Sequence, residues 1–298
     1  MHAEGQTASP PPLHIPAEAG GFHVKAASLP LTPGYVAVKT NANFPGNRDR
    51  AALPTIQGAI LLFSSIDGTP LALLDSIEIT IKRTGAATAI AATYLARQES
   101  QVATICGCGE QGRIQLAALR HSLDIKHAFA WDDDMAVASA YARDMSDQYG
   151  IEVEPVSNLI EATRQSDVIA TCTTSRTPYL SLEHVRPGTF IAAVGADNSE
   201  KSEIHPELMA HATVVADVAA QAVVMGDVHH AIRAGAMTAE KVHADLGDLI
   251  AGRRGGRTNL TEITVFDSTG TGIQDVAASA RAYELALSRA VGSRIQLS

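Results

Sequence analysis

At 298 residues, with 46% hydrophobic and 18% charged side chains, the chain is long enough to bury a full core and to form two domains. A net charge of −9 with no Lys/Arg stripe removes the electrostatic footprint of a nucleic-acid or anionic-membrane binder, and small-molecule chemistry fits better. Apolar runs such as GAILLF are too short to span a bilayer, MHAEGQTASPPP lacks the regions of a signal peptide, and only three cysteines, Cys106, Cys108 and Cys172, suit a reducing compartment; the expected location is the cytoplasm.

The first dozen residues read as a frayed, Pro-rich lead-in. From about 22 to 75 the segments FHVKAAS, YVAVKTN, GAILLF and PLALLD, separated by the turn signals FPGN and SIDGTP, predict a mostly antiparallel sheet. An Ala-rich helix with one buried face is predicted over 76–97. The rhythm then changes to strand, glycine turn and helix, repeated. QVATIC, KHAFAW, IEVEPV, DVIATC, TFIAAV, TVVAD and EITVFD are continuous apolar strands, and helical patterns between several of them imply a parallel sheet covered on both faces. A last helix, IQDVAASARAYELAL, returns to the first domain. The expected division is 1–97 with 275–298, and 98–274.

The first candidate site is CGCGEQG. Gly107-x-Gly109-x-x-Gly112 lies between a strand and a helix striped by Leu116, Leu119 and Leu123. In that context Gly107 permits a tight turn, Gly109 lets backbone approach a pyrophosphate, and Gly112 allows close helix–strand packing. A metal reading of the cysteines needs further ligands, and Cys172 is remote while the histidines show no matching cluster. Asp132 follows Gly112 by 20 residues, where an acid binds the adenosine ribose hydroxyls. With Asp133 and Asp134 it would repel a 2′-phosphate, which selects NAD(H) over NADP(H); a solvated run opening a helix accounts for the latter two equally well.

Substrate chemistry needs groups beside the nicotinamide. Lys39 in a strand, Lys82 and Arg83 among small residues, and Asp197 just after a strand end are the candidates. Each has a bland alternative: edge-strand and helix-surface cations for the lysines, and an N-cap or Asx-turn residue for Asp197. His229 and His230 suggest proton shuttles or a helix surface. His205 and His211 are six apart, off the spacing of a helical metal pair.

Taken together and in order, VKTNANFPGN, KRTGAATAIAATYLA, GCGEQG, VGADNSEKSE and VFDSTGTGIQDVA resemble the ornithine cyclodeaminase/mu-crystallin family from about residue 12 onward. The resemblance implies an α/β fold in which a Rossmann-type doubly wound parallel sheet is inserted into a second, α+β substrate and dimerisation domain, and hence a homodimer. It implies that Lys39 and Arg83 bind the substrate carboxylate, and that Asp197 contacts the amino or imino nitrogen as acid/base. Thr55, Glu110, Gln111, Asp132, Thr173, Val194, Gly195, Lys201 and Ser268 would line the NAD site, with Thr269 near substrate and no metal. Two departures stand out. The family pattern has a helical segment before the β-rich part, where this sequence opens almost at that part, and an arginine before the first strand is missing, with Lys25 or His14 as its replacement.

The implied reaction is hydride exchange at the carbon bearing nitrogen, giving an NAD-dependent amino-acid dehydrogenase or cyclic ketimine reductase acting on a small amino or imino acid. An ornithine cyclodeaminase with tightly held NAD is the alternative, and a silent crystallin-like NAD(P)H-binding protein is another. Retention of Asp197 argues against the last.

Overall fold

The computed structural model describes residues 5–47 and 51–296; the opening four residues of the predicted lead-in lie outside them. In chain order come β1 (Leu13–Ala17), β2 (Gly20–Leu29), β3 (Tyr35–Asn43), β4 (Ile56–Ser64), β5 (Pro70–Asp75) and α1 (Ser76–Leu95). Next are β6 (Val102–Cys106), α2 (Glu110–Ser122), β7 (His127–Trp131), α3 (Met135–Tyr149), β8 (Glu152–Pro155), α4 (Leu159–Gln165), β9 (Val168–Thr171) and β10 (Phe190–Ala193). The chain closes with α5 (Pro206–His211), β11 (Thr213–Ala216), α6 (Ala219–Ala222), α7 (Gly226–Arg233), β12 (Ala244–Asp245), α8 (Leu246–Ile250), β13 (Thr264–Asp267) and α9 (Gly272–Ser288).

Two compact units divide these elements: residues 1–83 with 271–298, and residues 84–270. The unit borders therefore fall inside α1 and just before α9.

The first unit holds β1 to β5 as an antiparallel sheet in chain order. Alternation sorts its faces. Ala27, Ala37 and Leu62 are buried on one face, together with Tyr35 and Ile60, and Val276 and Ala280 of α9 pack on them. Ala26, Val38, Leu61 and Leu73 pair across the opposite face. β1 and the pairing of Ala8 with Ser28 were not legible, since LHIPA follows three prolines and carries little strand signal by itself.

The second unit is an eight-stranded, all-parallel sheet in the order β12-β11-β13-β10-β9-β6-β7-β8. Its strands are apolar on both sides because each side meets helices. Ala103, Ile105, Ala170, Ala192 and Phe266 join one core with α1, α2 and α3, while Ile169, Ile191, Val214 and Val265 join another with α5 and α7. This is the doubly wound α/β arrangement. The short β12 carried no sequence signal. Among the described residues, no helix is long and apolar enough to cross a membrane.

Candidate active site

The glycine turn of the second unit sits at the end of β6. Gly107 has φ of +98°, donates its N–H to Trp131 O at 2.9 Å, and a Cβ there would lie 2.9 Å from Cys172 O. Both the left-handed backbone and the crowding demand glycine. A Cβ on Gly112 would run into Gly107 O, so α2 reaches its close packing only with glycine at that turn. Gly109 is different: nothing of the protein lies within 4 Å of a Cβ built on it. Gly109 is also the N-cap of α2 and offers no side-chain cap, so the first N–H groups of the helix keep their capacity for an anion. Glu110 opens α2, and the adjacent Gln111 has a buried side-chain oxygen without a partner.

Asp132 stands at the end of β7 and binds this turn. Its Oδ2 accepts Cys108 N–H at 2.9 Å and its Oδ1 accepts Asp134 N–H at 3.1 Å. Asp134 itself caps α3 by accepting Ala136 N–H at 2.8 Å, and Asp133 is exposed. The cysteines fill space. Cys106 and Cys108 are buried and Cys172 is half-buried; burial pushes the Cys108 thiol up to about 12 and the other two well above their ordinary value. Among the described residues no group of three or more His, Cys, Asp or Glu is arranged to hold a metal.

Beyond β9, β10 and β13 the remaining residues of this half gather at strand ends. Thr173 N–H and Oγ1 both donate to Glu203 Oε1 at 2.7 Å, and Gly195 N–H donates to Glu203 Oε2 at 2.9 Å. Val194 is buried, with its N–H on Thr171 O. Ser268 is 3% exposed and its Oγ has no partner, although its N–H is held by Ala193 O at 2.8 Å. Thr269 Oγ1 donates to Asp217 Oδ1 at 2.9 Å and accepts Gln221 Nε2 at 2.7 Å. Asp197 is half-exposed, and Lys201 Nζ lies 2.9 Å from its Oδ1. Asp197 caps no helix; its neighbour Asn198 makes the turn by accepting the N–H groups of Glu200 and Lys201.

In the first unit, Lys39 on β3 is only 4% exposed. Its Nζ lies 2.7 Å from Asp275 Oδ2 and 3.4 Å from Thr80 Oγ1. Arg83 Nε lies 3.2 Å from Asp275 Oδ1, and Arg83 NH1 donates to Gln274 Oε1 at 3.0 Å. Burial, the Arg83 charge and the Lys25 charge lower Lys39 to about 7, with Asp275 opposing them. Burial works to raise the Asp275 carboxyl, but the Arg83 and Lys39 charges outweigh it and hold the group below the usual carboxylate range. One carboxylate thus serves two buried cations and leaves positive charge over. A cluster with cations in excess is chemically able to take a second carboxylate.

Lys25 is directly opposite Lys39 in the β2–β3 register, whereas His14 is exposed and its ring meets that of His23. Thr55 precedes β4, with its carbonyl accepting Phe44 N–H at 2.9 Å. Lys82 is exposed and pairs with Glu78 at 3.0 Å along the helix, the bland alternative. His229 and His230 contact the carbonyls of Val223 and Lys201, and His205 and His211 flank the two ends of α5.

Sequence reasoning missed Asp275, Gln274, Glu203, Asp227 and Asp217. The only local signal was the Thr271–Gln274 capping box that starts α9, which places Asp275 in a first turn where a carboxylate is favoured. A dinucleotide fits the second unit on its own evidence: the clearance over Gly109, the uncapped α2 and the unpartnered Gln111 and Ser268 oxygens.

The chain is 40% identical over 297 residues to an alanine dehydrogenase of Archaeoglobus fulgidus, covering 99% of this chain and 90% of the relative. It matches the structure of an archaeal alanine dehydrogenase dimer with bound NAD at a TM-score of 0.94 and 39% identity, covering 100% and 91% of the two chains. The Thermococcus litoralis Δ1-pyrroline-2-carboxylate reductase in complex with NADH and L-proline matches at 0.93 and 33%, covering 99% and 91%. The family model for ornithine cyclodeaminase/mu-crystallin proteins matches residues 1–290. The chain belongs to the ornithine cyclodeaminase/mu-crystallin family.

Proposed function

We propose that this chain is an NAD(H)-dependent oxidoreductase acting on the C–N bond of a small amino acid or cyclic imino acid, of the alanine dehydrogenase or ketimine reductase type. The observation that carries the reading is the Lys39–Asp275–Arg83 arrangement, two buried cations sharing one carboxylate, in a chain that also has an uncapped glycine-turn helix. NAD, when bound, accepts or returns a hydride at the carbon bearing nitrogen. Lys39 and Arg83 fix the carboxylate of the substrate, with Lys25 adding charge beside them and Thr269 placed near the substrate. Asp197 takes the proton from the amino nitrogen and returns it in the reverse direction. Lys201, at 2.9 Å, holds that carboxylate in place. The backbone from Gly107 to Gly112, with Glu110 and Gln111, receives the pyrophosphate, and Asp132 receives the adenosine ribose. Thr55, Arg83, Thr173, Val194, Gly195, Lys201 and Ser268 complete the cofactor contacts.

The dimer of the structural relative supports a homodimer here as well. One face of the five-stranded sheet presents Ala26, Val38, Leu61 and Leu73 in a paired row, with Leu61 43% and Leu73 65% exposed. Apolar rows of this kind are a subunit contact in waiting. The proposed location is the cytoplasm.

The test is a panel of alanine, ornithine, lysine, proline and cyclic imines, following reduced nicotinamide and ammonia together. Coupled formation of both, or consumption of NADH by a cyclic imine, supports the reading. Ammonia from ornithine without net NADH assigns a cyclodeaminase instead.

A further inference from the structure

Glu203 is fully buried and has no cation beside it among its hydrogen-bond partners. Its Oε1 accepts Thr173 N–H and Thr173 Oγ1 at 2.7 Å each and Tyr179 Oη at 3.0 Å, and its Oε2 accepts Gly195 N–H at 2.9 Å. Thr173 Oγ1 also accepts Ser175 N–H at 3.2 Å, so its own proton goes to Glu203. The backbone behind the carboxylate is fixed in turn, because Asp227 Oδ1 accepts the N–H groups of Glu203 and Ile204 at 2.8 and 3.0 Å. No side chain larger than glycine fits at 195, where a Cβ would lie 2.5 Å from the Glu203 carboxyl.

The two loops joined in this way follow β9 and β10. In the sheet, β7 lies on one side of β6, and β9 then β10 lie on the other. A dinucleotide with its pyrophosphate over the turn after β6 and its adenosine toward Asp132 after β7 must extend its nicotinamide half over β9 and β10. We infer that Glu203 is the positioning residue for the nicotinamide half of the cofactor site, a buried carboxylate that locks the loop after β9 to the loop after β10. The inference rests on the dinucleotide reading. Glu203 touches no cofactor itself; it acts through Thr173 and Gly195.

Glu203→Gln keeps the size and breaks the lock. Whichever way the amide turns, its NH2 faces a backbone N–H that cannot reverse, that of Thr173 or that of Gly195. NADH and ADP affinities are measured by titration on the full chain and on this variant. ADP carries only the adenosine and the diphosphate and makes none of the nicotinamide-half contacts. The expected result is a loss of NADH affinity of about tenfold or more, the scale of a buried charged hydrogen bond, with ADP affinity kept within roughly twofold. Equal weakening of both ligands, as a general structural role would give, overturns the inference, and so does no weakening of either. Should Glu203→Gln fail to fold, Tyr179→Phe removes one of the four donors; NADH affinity should then fall a few-fold with ADP affinity unmoved, and equal or absent effects overturn the inference. Failure of the unaltered chain to bind NADH defeats the dinucleotide reading and the inference with it, whereas normal binding with a negative variant result defeats the inference alone.

Discussion

Asp132 directly follows β7 and Asp197 lies four residues past the end of β10, and their surroundings suit them to the different work proposed for them. Asp132 has a backbone N–H on each oxygen, so it is fixed in orientation and suited to reading ribose hydroxyls. Asp197 has one oxygen against Lys201 and is half-exposed, as a proton-transfer group needs to be. Asp197→Ala should therefore lower turnover roughly 100- to 10,000-fold while NADH titration shows near-normal binding; an equal loss of both would remove its role as acid/base. Asp132→Ser should move the NADPH/NADH ratio of kcat/KM toward NADPH, because it removes the charge that repels a 2′-phosphate. Lys39 adds a pH dependence. Its protonated, carboxylate-binding form is present below about 7 and is lost as pH rises through that value, so the affinity of the NADH complex for a carboxylate inhibitor should weaken above neutrality. Lys39→Met should bind more weakly below neutrality, approach the unaltered chain at higher pH, and lack that step.

The elements show where sequence is informative and where it is not. The Gly107 to Gly112 turn was legible because its causes are local: one left-handed residue, one close approach and one open position within a single strand–turn–helix. The place of Asp132, after β7 and against that turn, was legible through its spacing. Asp275 was not, since its partner Arg83 is 192 residues away and only the fold brings them together. The same holds for Asp227, which receives the N–H groups of Glu203 and Ile204 from α7. Burial, and after it the Glu203 charge, raises Asp227 to about 7, and burial with the Asp227 charge raises Asp267 as well. Asp227 Oδ2 and Asp267 Oδ1 are both buried without partners. Between the ordinary carboxyl range and about 7 the folded chain keeps a proton that the unfolded chain has lost, so this pair's contribution to stability falls as pH rises through that window. Asp227→Asn keeps an oxygen for the backbone donors and removes the like charge facing Asp267 and Glu203. Its Tm relative to the unaltered chain should be higher at pH 8 than at pH 5, as scanning calorimetry would show; a pH-independent difference would count against the charge argument.

For the whole molecule, alternating strands and helices after residue 100 specified the parallel sheet, and short β-rich segments before residue 75 specified the antiparallel one. The apolar row on the face of the antiparallel sheet opposite α9 bears on the proposed homodimer. Leu61→Glu places a charge in its middle and should convert a two-subunit mass to a one-subunit mass in light scattering, with the far-UV spectrum unchanged; a mass unaffected by the change would place the subunit contact elsewhere. In the proposed reaction hydride leaves the carbon bearing nitrogen and stays on the cofactor as net reduction, which is tested most directly by supplying NAD with a small amino acid deuterated at that carbon and examining the nicotinamide formed. Deuterium should appear at the reduced ring position, with an equivalent of ammonia or cyclic imine; ammonia release that leaves all the cofactor oxidised, or no label transfer from any member of the panel, would contradict net transfer.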